Sequence, residues 1–214
     1  MGGRGASYAK RFSGDLWESS RKFTQEFDKL PDYLKIGGES VAQLYVYEHN
    51  LNGKPEFVSK DKFNKLVKER GENNVLYRGL EDGESLSAKE IAKMQFENEF
   101  NYVGGRIGGF ANGEGIYFAQ GDKEVATNYG DYVTRAMLNK KAKVIDYDKI
   151  AKMFEEKGTE KQKKEIAKME ELHRRNYATI KAHMLGYNVV RKIGTTGRRR
   201  IVVFDRSVLT MEEI

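Results

Sequence analysis

The 214-residue chain contains no cysteine, two prolines and three histidines. Without cysteine it forms no disulfide and builds no thiolate metal site. His173 and His183 stand ten residues apart, and no second histidine or cysteine lies at ligand spacing from either, so both are read as structural and no metal is expected. No apolar run approaches the ~20 residues that a membrane-spanning helix requires, and no membrane partner is expected. The start, Met1-Gly2-Gly3-Arg4-Gly5-Ala6-Ser7, lacks the apolar stretch of a secretory signal, which sets the expectation of a cytoplasmic protein. A dominant charge sign is missing too. The net charge is +6, but basic residues are mixed with acidic ones over most of the length, and charged residues make up 33% of it. Such a surface is ordinarily a solvated one, so the excess does not select a nucleic-acid partner. Glu155-Glu156 and the lysines between 161 and 164 are read the same way, as solvated helix faces.

What is present is enough apolar sequence, 39%, for a continuous core in one large domain. Residues 1–14, rich in glycine, serine and arginine, bury too little apolar surface to offset their ordering entropy and are expected to be flexible. Residues 15–73 are expected to form a helical region packed on the core. In it, 15–30 reads as a helix ended by Pro31, Leu44 to Tyr47 as an extended segment or the end of a short helix, and Ser59 as the cap of a helix that carries Phe63, Leu66 and Val67 and stops at Gly71. From residue 74 to 214 strands and helices are interspersed without a βαβ rhythm, which predicts an α+β domain. Strands are expected over 75–79, 116–119, 132–138 and 143–146, with a closing hairpin, 188–193 and 200–205, around the turn Gly194-Thr195-Thr196-Gly197. Helices are expected from Ser87, with Glu90 three residues on to complete a capping box, over 123–129, and over 148–185 in two pieces broken near Gly158. Six glycines between 102 and 115 make that stretch a loop.

Two segments carry the chemistry: Val75-Leu76-Tyr77-Arg78-Gly79 and Gly113-Glu114-Gly115-Ile116-Tyr117-Phe118-Ala119. Each is an apolar strand that presents one polar residue beside a glycine. Glycine permits a ligand to approach the backbone, and arginine supplies a planar fork of donors suited to phosphate. Burying a guanidinium is costly unless it is paired or faces a ligand, so Arg78 pairs with an internal carboxylate or serves a site. Tyr117 lies between Ile116 and Phe118 and faces away from both. It is either a core tyrosine or one wall of a pocket whose other wall is Tyr129, reached by a loop and a helical turn.

The strings Tyr77-Arg78-Gly79, Gly113-Glu114-Gly115-Ile116-Tyr117-Phe118-Ala119 and Ala126-Thr127-Asn128-Tyr129, in that order, resemble the ADP-ribosyltransferase superfamily. Their wording is close to poly(ADP-ribose) polymerases and to related bacteriophage proteins. Ile201 to Asp205 resembles its last core strand, so the likeness spans about residues 75 to 209. The glycine- and arginine-rich start and Leu185 to Asn188 are similar to phage minor head proteins that carry such a domain. This resemblance implies an ADP-ribosyltransferase-like fold of two small packed antiparallel sheets with flanking helices and an N-terminal helical extension. It implies NAD as substrate and transfer of ADP-ribose to an acceptor, a protein rather than a nucleic acid. It also implies a phage or mobile-element origin, with a host protein or a phage structural protein as partner. Residue by residue, Arg78 takes the position that contacts the NAD ribose or phosphates. Gly79 takes the one whose backbone holds the nicotinamide amide, and Tyr117 and Tyr129 take the two that stack on nicotinamide. Gly115 and Phe118 enter the cofactor-binding set with the same string.

One position departs from the family. Where its last motif carries a glutamate that steadies the oxocarbenium-like transition state, this chain has Arg200. A cation opposes a developing positive charge and does not replace a carboxylate. Three readings follow. The acid comes from elsewhere, with Glu97, Glu99 and Glu114 nearest in sequence. Or the domain binds the dinucleotide without turnover, as an inert module in a phage structure or interaction. Or Arg200, with Arg78, Arg198 and Arg199, holds a phosphorylated substrate.

Overall fold

Alternation of apolar and polar residues builds the strands, and two local caps start the helices that flank them. The structure, a computed structural model, describes residues 53–83, 86–97, 115–173 and 177–214. The expectations for residues 1–14, 15–30, 44–47 and the glycine-rich 102–114, and the placements of Glu99 and Glu114, lie outside the described residues. In chain order the strands are β1 (Glu56–Val58), β2 (Leu76–Leu80), β3 (Ile116–Gln120), β4 (Tyr132–Leu138), β5 (Val144–Asp146), β6 (Val189–Ile193), β7 (Arg199–Val203) and β8 (Leu209–Glu212). The α-helices are α1 (Lys60–Arg70), α2 (Ala88–Glu97), α3 (Lys123–Thr127), α4 (Tyr147–Lys157), α5 (Glu160–His173) and α6 (Ala178–Met184).

The mixed α/β expectation holds in its coarse form, with two corrections. The strands form one eight-stranded sheet in the order β1-β8-β4-β2-β3-β7-β6-β5, not two separate sheets. Nor is it wholly antiparallel, because β1 pairs with β8 and β5 with β6 in parallel. Two halves of four strands are nevertheless visible, joined only where β2 meets β3 over Leu76↔Gln120 and Tyr77↔Ala119. β1 binds the far end of the chain, Glu56 opposite Thr210, so the sheet takes in residues upstream of 74. The region expected as two helices between 148 and 185 is three, α4 to α6.

Successive side chains alternate between the faces. On the first face Leu76, Ile116, Phe118, Val189, Ile201 and Val203 form the main core with Phe96 of α2. The Phe96 and Phe118 ring centroids are 6.1 Å apart at 36°, a tilted packing worth about 1 kcal/mol beyond burial. On the second face Val75, Tyr77, Ala119 and Ala126 pack with Phe63 of α1, while Tyr117, Val190 and Val202 pack with Ala178 and Ala182 of α6. α1 begins where expected, with Ser59 as cap and Gly71 at its end. α2 begins at the expected box, Glu90 accepting from both the N–H and the hydroxyl of Ser87. Its buried face is Ala88, Ala92, Gln95 and Phe96.

Candidate functional site

The short ladder between β2 and β3 creates the site. Backbone groups of successive strand residues point to opposite edges. The Val75 carbonyl accepts from the Gly121 N–H at 2.8 Å, on the β3 side, so Tyr77 and Gly79 turn their N–H and C=O to that side as well. Tyr77 meets Ala119. Gly79 would next meet Tyr117, but the ladder has ended, and the Tyr117 carbonyl accepts instead from Nη1 of Arg78 at 3.0 Å. The arginine side chain stands where a backbone N–H would have paired, and the strands part around it. Gly79 remains paired with Val133 of β4 on its other edge, leaving its inner edge turned toward the opening.

Arg78 is held from behind as well. Its Nε donates to Oε1 of Gln95 at 3.1 Å, and Gln95 is 5% exposed on the sheet-facing side of α2. The Gln95 main-chain carbonyl accepts from Nη1 of Arg206 at 2.7 Å. Arg206 is fully buried between β7 and β8, and burial pulls its pKa down to about 10, against a smaller opposing pull from the charge of Asp205. Two guanidinium groups thus converge on one neutral residue, one at its side-chain oxygen and one at its main-chain carbonyl. Neither Gln95 nor Arg206 stood out as a site residue in the sequence. The available signal was an amide within the apolar seam of an amphipathic helix, which calls for a hydrogen-bond partner.

The second face of the opening is closed by the end of α3. A Cβ built on Gly79 would lie 1.9 Å from the Ala126 carbonyl oxygen and 2.9 Å from that of Gly130. The backbone turn that carries Tyr129 therefore rests directly on Gly79. Tyr129 itself is 40% exposed there, and Tyr117 lies half-buried on the same face of β3, across the parting. Gly115, at φ 152°, leads into β3 with no room for a Cβ, since one would sit 2.7 Å from Cγ1 of Val202. Phe118 is turned to the opposite face and packed in the core on Phe96. Strand alternation thus separates it from the tyrosine with which the sequence string groups it.

Arg200 is brought onto this same second face, opposite Ala119 and diagonal to Tyr117, because Tyr117 pairs with Val202. It is exposed, and its neighbour on the far side is another cation, Lys192, in direct register. Lys192 Nζ lies 4.0 Å from the centroid of the Tyr147 ring. Like charges directly opposite each other disfavour a ladder, and no ion pair relieves Arg200 among the described residues. The nearby carboxylate, Asp122, caps α3 and lies 3.6 Å from Nε of Arg198. Glu97 lies at the end of α2: together with Glu212 its charge adds to burial in raising the pKa of Tyr132, which pairs with Leu80, the residue after Gly79.

Comparison of the chain with family models, curated proteins and solved structures returned no match. The geometry therefore stands alone. It offers an outward backbone donor–acceptor edge at Gly79, a guanidinium at Arg78 that strand alternation sends to the first face with Leu76 and Leu80, and two tyrosines on the second face. Among the described residues, no group of three or more histidine or acidic side chains is arranged to hold a metal ion.

Proposed function

We propose that the parting between β2 and β3 binds NAD, and that the chain is an NAD-dependent ADP-ribosyltransferase of phage or mobile-element origin that acts on a protein acceptor. The observation that carries the proposal is the unladdered edge of Gly79, whose N–H and C=O turn toward the opening beside Tyr117. A carboxamide has one donor side and one acceptor side, and a strand edge that offers both is its natural complement. In this reading Gly79 holds the nicotinamide amide, Tyr117 and Tyr129 flank the ring, and Arg78 faces the ribose and phosphates. Departure of nicotinamide leaves positive charge on the ribose, which needs a carboxylate that Arg200 does not provide.

A second reading, a dinucleotide-binding module without turnover that serves in a phage structure, is favoured by one observation. Lys192 and Arg200 sit in register on the face where that carboxylate is needed. Incubation with NAD labelled in its adenylate moiety tests both. The transferase reading expects label on protein, lost in Arg78→Ala and Tyr117→Ala. The module reading expects bound but intact NAD. A protein that neither binds nor consumes NAD overturns both.

A further inference from the structure

From the register of β6 and β7 we infer that Lys192 and Arg200 together bind a phosphate monoester on the second face of the sheet, beside Tyr117. The two residues are direct cross-strand partners. Strand alternation puts both on the second face, because Val190 and Val202, the next pair of that face along the same ladder, lie in the core there with Tyr117. Arg200 is exposed and stands diagonal to Tyr117, since Tyr117 pairs with Val202 and Ala119 with Arg200, a spacing that long side chains bridge. The ammonium of Lys192 is seated on the same face. Its Nζ lies 4.0 Å from the centroid of the ring of Tyr147, the first residue of α4, which packs against the same core as Tyr117.

This pair lacks the counter-charge that its neighbours have. Arg191 is bound to Oδ1 of Asp146 at 2.7 Å, and Lys149 lies 3.2 Å from Oδ2 of the same carboxylate. Arg198 lies 3.6 Å from Asp122. The acids in the first turns of α3 and α4, Glu124 and Asp148, make no ion pair with Lys192 or Arg200 among the described residues. Like charges directly opposite each other disfavour a ladder, and a local rule broken without compensation inside the fold marks a functional position. A phosphate monoester supplies the compensation. It carries a charge of about −1.5 to −2 at neutral pH and three acceptor oxygens, of which the guanidinium fork takes two and the ammonium one. A carboxylate, with a single charge, leaves one of the cations unneutralised. A phosphodiester chain calls for a row of cations along its length, and this face does not offer one: Arg78 and Arg199 share the first face with Leu76 and Ile201, and Arg198 is engaged by Asp122. The anion site stands on this geometry alone. Its place in the reaction rests on the proposed transferase, for which the monoester belongs to the protein acceptor, a phosphorylated side chain brought beside Tyr117.

Arg200→Gln and Arg199→Gln remove the same charge from adjacent residues on opposite faces, so the two together separate a site from general positive charge. Arg200→Glu turns the like-charge pair into an opposite-charge one, which favours the ladder. Binding of O-phosphotyrosine, inorganic phosphate and an oligonucleotide without terminal phosphates to the full chain is followed by phosphorus NMR, NAD binding by titration calorimetry, and folding by thermal scans. O-phosphotyrosine should weaken by about tenfold in Arg200→Gln and Lys192→Gln, the size of a lost hydrogen bond to a charged group, and stay unchanged in Arg199→Gln. Arg200→Glu should abolish its binding while melting at or above the wild-type temperature, which separates loss of the site from loss of the fold. Inorganic phosphate should follow the same pattern with lower affinity, since it brings no ring to Tyr117; equal affinity for the two would overturn the assignment to an acceptor. Equal losses in Arg199→Gln and Arg200→Gln, a folded wild type that binds neither phosphate, or tighter binding of the oligonucleotide would overturn the inference. NAD binding without phosphate binding refutes this inference and spares the dinucleotide reading, whereas phosphate binding without NAD binding does the reverse.

Discussion

Replacing Gly79 by alanine adds one methyl group and tests the packing on which the site depends. Gly79 is not among the glycines with positive φ, so alanine meets no backbone penalty there and the whole effect is steric. The new Cβ would lie 1.9 Å from the Ala126 carbonyl oxygen, 2.9 Å from the Ala126 carbonyl carbon and 2.9 Å from the Gly130 oxygen. These are backbone atoms, which cannot step aside as a flexible side chain can, so the last turn of α3 must lift from β2. Overpacking by a methyl costs typically ~1–3 kcal/mol, and a rigid obstacle at this distance places Gly79→Ala at the upper end, ~3 kcal/mol. For a chain of this size each kcal/mol lowers the melting temperature by about 2–4 °C. A thermal unfolding scan should therefore show a fall of roughly 6–12 °C. Because Tyr129 moves with the turn, nicotinamide affinity should fall even at temperatures where the variant is fully folded. A melting temperature within a degree of wild type, with ligand affinity retained, would refute the close contact and with it the described wall of the site.

Gly130→Ala should be worse than Gly79→Ala, because it adds a φ of 135° to a Cβ only 2.1 Å from the Leu80 carbonyl; equal melting temperatures would count against this. Phe96→Ala should cost about 3–5 kcal/mol in chemical denaturation and weaken ADP-ribose binding through loss of the α2 seat, whereas loss of stability alone would detach α2 from the site. Asp146 is held below its ordinary value of 3.8 chiefly by its hydrogen bond from Arg191, which outweighs the opposing effect of burial. A depressed folded-state carboxylate stabilises above its unfolded pKa and loses that contribution as pH falls through the folded value. Asp146→Asn should therefore lower the melting temperature at pH 7 and make little difference near pH 2, and a gap that persists in acid would contradict the pairing.

Local signals were the most legible part of the sequence. Ser59, Gly71 and the Ser87–Glu90 box act within a few residues of themselves, so their geometry is dictated by spacing alone. The strand carrying Tyr117 was legible for the same reason, with Ile116 and Phe118 alternating away from it. β1 and β8 were not, because each exists through pairing with a segment from the opposite end of the described chain. The continuity of the sheet was hidden similarly. It depends on a two-pair ladder between segments more than forty residues apart, Leu76 with Gln120 and Tyr77 with Ala119. At the site, the sequence supplied Arg78, Gly79 and Tyr117 but not Gln95, whose bond to Arg78 spans 17 residues and appears only once α2 lies against β2. Phe118 shows the converse limit, since a string of adjacent residues groups side chains that the pleat sends to opposite faces.

The account turns on the inner edge of Gly79, and amide NMR of the uniformly labelled chain during titration with nicotinamide and then NAD observes that edge directly. The Gly79 N–H resonance should move downfield and saturate with each ligand, with the Tyr117 amide following and Thr210, on the distant β8, unmoved. Saturable NAD binding that leaves the Gly79 resonance in place, or no binding at all, would contradict the central claim.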